Sequence, residues 1–203
     1  MTGPVYVITD PGAPLSLLDQ ALAAAHGGAW AVQLRDKTAS DADMIALARA
    51  IRGRLHPLGV KLIVNDRLAV ALAADADGLH IGQGDGDPAQ ARARLGAGKL
   101  LGLSIETLAQ CAQIPPGVDH IGAGPVRATA TKPDHAAPIG FDELAAIVAR
   151  AGLPCFAIGG IGRGDAKAVK AAGAVGMAVV SAVTRAADPK AATRELVDEW
   201  RRT

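Results

Sequence analysis

The sequence predicts an α/β protein, a single (β/α)8 barrel spanning residues 1–203. Three features predict it. Eight short runs rich in Val and Ile recur along the 203 residues, and Ala- and Leu-rich segments with helical spacing lie between most of them. No GxGxxG follows the first run, which disfavours the open doubly wound sheet.

The strands are expected at VYVIT (5–9), WAVQL (30–34), KLIVN (61–65), GLHIG (78–82), LLGLS (100–104), HIGAG (120–124), CFAIG (155–159) and MAVVS (177–181). Of the helical segments, DADMIALARAIRGRL (41–55) places Met44, Leu47, Ala48, Ile51 and Leu55 on one face. FDELAAIVARAG (141–152) and DPKAATRELVDEWRR (188–202) are read the same way. Asp87-Pro88 and Asp188-Pro189 each read as an N-cap followed by proline at the first helical position, where the missing N–H would have had no partner anyway. No linker, low-complexity stretch or second domain is visible, and the length suits one sizeable core.

Composition removes several function classes. The chain is 50% hydrophobic but 2% aromatic, so an aliphatic, alanine-rich core is expected. A net charge of +1 and few aromatics argue against a nucleic-acid partner. The N-terminus lacks a signal-peptide pattern, and no apolar run approaches a membrane span, so a cytoplasmic protein without a membrane partner is expected. Cys111 and Cys155 match no metal spacing and read as buried, reduced thiols. The five histidines fit no metal or catalytic pattern and read as structural or solvent-facing.

Six strands begin apolar and finish polar. VITD ends in Asp10, VQLRDK in Arg35 and Lys37, LIVND in Asn65 and Asp66, and HIGQGD in Gln83 and Asp85; LGLSIE passes through Ser104 and AVVSA through Ser181. Parallel barrel strands all open at one face, where barrel enzymes act, so these groups should converge on one mouth. Asp66 and Asp85 end successive strands, about 4.8 Å apart in a sheet, so both could reach one cation. Two bare carboxylates there repel, and Mg²⁺ suits a set with few protein oxygens. Arg35 and Lys37 facing them would complete a cradle for a diphosphate.

A second anion site is expected where Gly159 and Gly160 follow strand seven and Val180-Ser181 ends strand eight, since loops seven and eight of such barrels often hold a phosphate. Between these sites, Thr129, Ala130, Thr131 and Lys132 form a TATK segment on a long loop suited to closing over a ligand.

QLRDK, VND, ADGLHIGQGD, GLSIET, IGAGP…TATK, AIGGI and GMAVVSA, in this order, resemble the thiamine phosphate synthase family across essentially the whole chain. The resemblance implies a (β/α)8 barrel. The implied reaction joins an amino-hydroxymethylpyrimidine diphosphate to a thiazole phosphate, or its carboxylated form, to give thiamine phosphate and diphosphate with Mg²⁺. It implies that Gln33, Leu34, Arg35, Asp36, Lys37 and Asn65 hold the pyrimidine diphosphate and that Asp66 and Asp85 carry Mg²⁺. Ser104 and Lys132 would meet the diphosphate side, and Arg35, Lys37, Ser104 and Lys132 would be the catalytic set. Thr129, Ala130, Thr131, Gly160, Val180 and Ser181 would hold the thiazole phosphate. Ala130 stands where the resemblance leads one to expect proline. A homo-oligomer is left open. Two rivals remain. A thiazole tautomerase-like isomerase would need the phosphate site without the diphosphate cradle, and a non-catalytic thiazole-phosphate-binding barrel would bind without turnover.

Overall fold

The computed structural model describes residues 3–129, residue 131 and residues 136–203. The expected barrel forms. Strands β1 (Val5–Ile8), β2 (Ala31–Leu34), β3 (Lys61–Asn65), β4 (Gly78–Ile81), β5 (Leu100–Ile105), β6 (His120–Ala123), β7 (Cys155–Ile158) and β8 (Gly176–Val179) pair in parallel in chain order. β8 pairs back onto β1, with Val5 opposite Met177, and closes the sheet.

Helices α1 (Leu17–Gly27), α2 (Asp41–Leu55), α3 (Leu68–Ala73) and α4 (Pro88–Leu95) follow the first four strands. Next come α5 (Gly140–Ala151), α6 (Ala166–Ala171), α7 (Ser181–Thr184) and α8 (Pro189–Arg202). The caps act as the sequence implied. Asp87 accepts a hydrogen bond from the Ala89 N–H and Asp188 from the Ala191 N–H, each with proline starting the helix. Ser16 and Ser40 cap α1 and α2 in the same way. After β5 the regular alternation fails: the connection is a 3-10 helix, Leu108–Gln113, started by a Thr107–Gln110 capping box. Ile114 then turns extended ahead of Pro115 and Pro116, which forbid continuation.

The period-two alternation of the strands divides the core. Val5 and Val7, Val32 and Leu34, and Leu62 and Val64 face outward into an aliphatic layer beneath the helices. Tyr6, Ile8, Ala31, Ile63, Phe156 and Ala178 face inward. The aliphatic, alanine-rich core that composition predicts is therefore the outer layer. The barrel interior instead concentrates aromatics: Trp30 and Phe156 stack with centroids 5.1 Å apart, and Tyr6 meets both edge-on at 5.7 and 5.4 Å.

Barrel interiors are ordinarily filled by bulky branched side chains. Here β5 and β6 turn Gly102 and Gly122 inward beside His80 and His120. A Cβ on Gly102 would lie 2.3 Å from His80 Nδ1 and 2.4 Å from His120 Nε2. Glycine is required there because the two imidazoles occupy that space, and the interior stays hollow toward the strand C-termini. Both cysteines are free and buried, and burial pushes the Cys155 thiol up to about 12. Among the described residues no helix is long and apolar enough to cross a membrane.

Candidate active site

A cavity of about 490 Å³ opens at the C-terminal ends of the strands and reaches into the barrel. From the first half of the barrel it gathers Gln33, Arg35, Lys37, Asn65, Asp66, Asp85 and Ser104; from the second half, Thr129, Thr131, Gly160, Val180 and Ser181. Two residues expected there are placed otherwise. Leu34 is fully buried on the outward face of β2, because alternation turns it away from Gln33 and into the aliphatic layer. The Asp36 carboxylate accepts hydrogen bonds from Thr38 N–H (2.8 Å), Thr38 Oγ1 (2.8 Å) and Ala39 N–H (3.1 Å), which hold it below the usual carboxylate range and commit it to shaping its loop. Ala130 and Lys132 lie outside the described residues.

The backbone at Arg35 is fixed by neighbours that the sequence did not single out. Its backbone N–H donates to Thr9 Oγ1 at 3.0 Å, and Thr9 N–H donates to Gln33 O, fixing the end of β2 on that of β1. The loop beyond is clamped by Arg67, which donates to the carbonyls of Asp36 (3.1 Å) and Ala39 (2.6 Å) and pairs with Asp41 (2.9 Å). Deeper in, Gln33 Nε2 donates to the Tyr6 hydroxyl at 2.8 Å. Burial raises the Tyr6 pKa, so the phenol stays neutral. Asp10 is turned to Arg185 (3.0 Å) and does not line the cavity.

The acidic pair sits at the ends of β3 and β4. Asp66 has φ 61°, a left-handed conformation unusual outside glycine, held by its N–H donating to His80 O at 2.8 Å. Its carboxyl is pushed up to about 6. Burial is the largest cause, followed by the hydrogen bond and charge repulsion from Asp85, with Lys37 opposing at 3.5 Å. Asp85 is aimed by Gly82 N–H, which donates to it at 2.8 Å. The site thus holds two carboxylates that resist simultaneous ionisation, with a cation beside them. Among the described residues no group of three or more His, Cys, Asp or Glu side chains is placed to hold a metal. A donor set of two carboxylates fits Mg²⁺, which completes its shell with phosphate and water, and suits Ca²⁺ or Zn²⁺ poorly.

On the opposite wall, loops six and seven pair through backbone. Val126 N–H donates to Ile158 O (2.8 Å) and Arg127 N–H to Gly159 O (3.0 Å). Gly159 (φ 92°) and Gly160 (φ 62°) are both left-handed, and a Cβ on Gly160 would lie 2.7 Å from Ala128 O. These glycines thus permit the close packing of the two loops. Arg127 grips Asp165 through two bonds of 2.7 Å and spans the two loops. Ser181 opens α7 directly after β8.

His80 and His120 are the cavity residues the sequence reading assigned away from the site. A signal was present: in GLHIG, His80 alternates with Leu79 and Ile81, so period two sets it opposite their aliphatic face. His80 Nε2 lies 3.0 Å from Ser104 Oγ. Arg67, Arg127 and Asp165 left no such signal, because their roles depend on contacts between distant loops.

The sequence model of the family described as thiamine monophosphate synthase matches residues 5–183. The chain belongs to that family. It is 49% identical over 195 residues to the thiamine-phosphate synthase of Chloroflexus aurantiacus, covering 95% of this chain and 90% of the relative. It is 46% identical over 197 residues to that of a Roseiflexus species, covering 96% and 84%. Among solved structures, thiamine phosphate pyrophosphorylase from Pyrococcus furiosus superposes with a TM-score of 0.88 at 34% identity, covering 97% of this chain and 96% of that one. A 3-hexulose-6-phosphate synthase at 20% identity and TM-score 0.70 shares the fold. The family makes the chain a transferase of thiamine biosynthesis, and the comparisons favour neither the isomerase nor the non-catalytic alternative.

Proposed function

We propose that the two walls of the cavity hold the two substrates of the family reaction. An amino-hydroxymethylpyrimidine diphosphate lies against β2–β5, and a thiazole phosphate against loops six to eight. The observation that supports this division is the charge distribution. Arg35, Lys37, Asp66 and Asp85 cluster on one wall, while Thr129, Thr131, Gly160 and Ser181 offer hydroxyls and backbone groups on the other.

In the reaction the bond between the pyrimidine's methylene carbon and the diphosphate oxygen breaks, and its electron pair leaves with the diphosphate. The thiazole nitrogen then donates its lone pair to that carbon. The protein needs to neutralise the growing charge on the leaving group and to align the two rings. Arg35 supplies a forked donor and Lys37 a point charge. The family resemblance assigns Lys132, which lies outside the described residues, to the same task. Asp66 and Asp85 would hold Mg²⁺, which when bound would offset charge on the diphosphate. Ser104 is oriented by His80 and by the Gln83 side chain, which donates to Ser104 O at 2.6 Å. No protein base is required, because the bond exchange removes no proton from either substrate.

Incubating the protein with both substrates and Mg²⁺ should yield thiamine phosphate and diphosphate, and excess chelator should stop the reaction. Absence of product would remove the synthase reading, and full activity in chelator would remove the metal assignment alone.

A further inference from the structure

Loop seven, GGIGRGD (159–165), runs from β7 to α6 with four glycines among its seven residues. Such a segment loses much backbone entropy on ordering, so contacts from outside must fix its shape. Two carboxylates provide them. Asp165 stands at the N-cap of α6, where aspartate ordinarily accepts a hydrogen bond from the first turn. Here its side chain makes no such bond, and its backbone is already helical (φ −99°, ψ −12°). The carboxylate turns the other way, toward Gly162 N–H (2.9 Å) and the Arg127 fork (2.7 Å twice). The start of α6 is closed instead from α8. Glu199 accepts from Gly164 N–H and from Ala166 N–H, both at 2.9 Å. Ala166 is fully buried, so water could not replace that partner. α6 returns the contact, since Lys170 donates to Trp200 O at 3.0 Å and lies over the Trp200 ring at 5.3 Å.

We propose that Glu199 is a positioning residue for the thiazole phosphate: by closing the start of α6 from α8, it leaves Asp165 free to bind Arg127 and so holds loops six and seven together around Gly160. This rests on the two-substrate reading above, which sets that phosphate against Gly160 and Ser181. Without Glu199 the first turn of α6 has no carboxylate, and Asp165, in the N-cap position, is the side chain placed to supply one. Turning to the helix would break its fork with Arg127. Arg127 also donates to Gly160 O at 3.3 Å, so its release loosens the loop at the glycine assigned to the phosphate. Glu199 itself does not line the cavity and acts through these neighbours. The phosphate keeps its charge through the reaction, so a looser loop weakens binding without slowing the bond exchange.

Glu199→Ala should raise the KM for the thiazole phosphate about three- to tenfold, the equivalent of one or two neutral hydrogen bonds. The turnover number and the KM for the pyrimidine diphosphate should stay unchanged. An unchanged thiazole KM, with or without a lower melting temperature, overturns the proposal, and so does an equal rise in both KM values. In the Arg127→Ala background the fork is already gone, so adding Glu199→Ala should raise the thiazole KM little further. Fully additive increases would overturn the link through Asp165. If Glu199→Ala does not fold, Glu199→Gln carries the test, because it keeps one acceptor oxygen for the two N–H groups. Its thiazole KM should rise about two- to fivefold, and no rise overturns the proposal. Ser181→Ala separates the two levels. If neither Ser181→Ala nor the Glu199 variants move the thiazole KM, the assignment of that wall fails and the proposal with it. If Ser181→Ala raises it and the Glu199 variants do not, the role of Glu199 alone is lost.

Discussion

Asp66 shows how one residue can serve two needs. Its left-handed backbone delivers the carboxyl to Asp85, and burial beside that neighbour raises it from the ordinary 3.8 to about 6. The folded state therefore holds more protons than the unfolded one between those values. This group favours folding most at the acid end, and the benefit declines as pH rises to about 6. Melting curves of the metal-free protein should show that decline, and Asp66→Asn should flatten it; equal slopes would refute the assignment. A second test at this scale separates the two walls. On the proposed division of the cavity, Arg35→Ala removes a donor from a group that gains charge in the transition state, so kcat should fall by roughly 10²–10³. On the same proposal, Ser181→Ala removes at most one neutral hydrogen bond to a phosphate whose charge does not change, worth about 1 kcal/mol, so it should mainly raise the KM for the thiazole phosphate. Steady-state kinetics with each substrate varied in turn would read both. If Ser181→Ala weakens only the pyrimidine substrate, the assignment of walls is reversed.

At the scale of elements, the loops rather than the strands carry the adjustable geometry. Loops six and seven are joined by two backbone hydrogen bonds and by the Arg127–Asp165 fork. Arg127 also lies over the Phe141 ring at 5.1 Å, tying the start of α5 to the same assembly. The fork is partly exposed, so its loss should cost the fold less than about 1 kcal/mol. Its effect should instead appear in binding. Arg127→Ala is expected to raise the KM for the thiazole phosphate several-fold while leaving the melting temperature and the pyrimidine KM nearly unchanged. A large drop in stability with no change in KM would mark the fork as scaffold only. Arg67 plays the equivalent part for the loop that bears Lys37, through the carbonyls of Asp36 and Ala39.

At the scale of the whole molecule, closure joins the two ends of the chain. β8 pairs with β1, Arg185 pairs with Asp10, and α8 packs across α1. Gly27 makes that helix crossing possible: a Cβ there would lie 2.4 Å from Thr193 Cβ and 2.7 Å from Lys190 O. Gly27→Val should overpack the crossing and destabilise the protein by about 1–3 kcal/mol, lowering the melting temperature without altering either KM. An unchanged melting temperature would show that the two helices separate freely. The eight strands, the capped starts of α4 and α8, and the convergence of Arg35, Lys37, Asp66, Asp85, Ser104 and Ser181 could all be read from the sequence. Alternation, caps and polar strand ends are local patterns, written over a few neighbouring residues. Local pattern also held the cue that turns Leu34 away from Gln33. What only the tertiary structure decided depends on register around a closed sheet. It set His80 and His120 on either side of Gly102, brought Arg127 to Asp165, and left the interior hollow. Those pairings join residues far apart in the chain, and closure of the barrel is what brings them together.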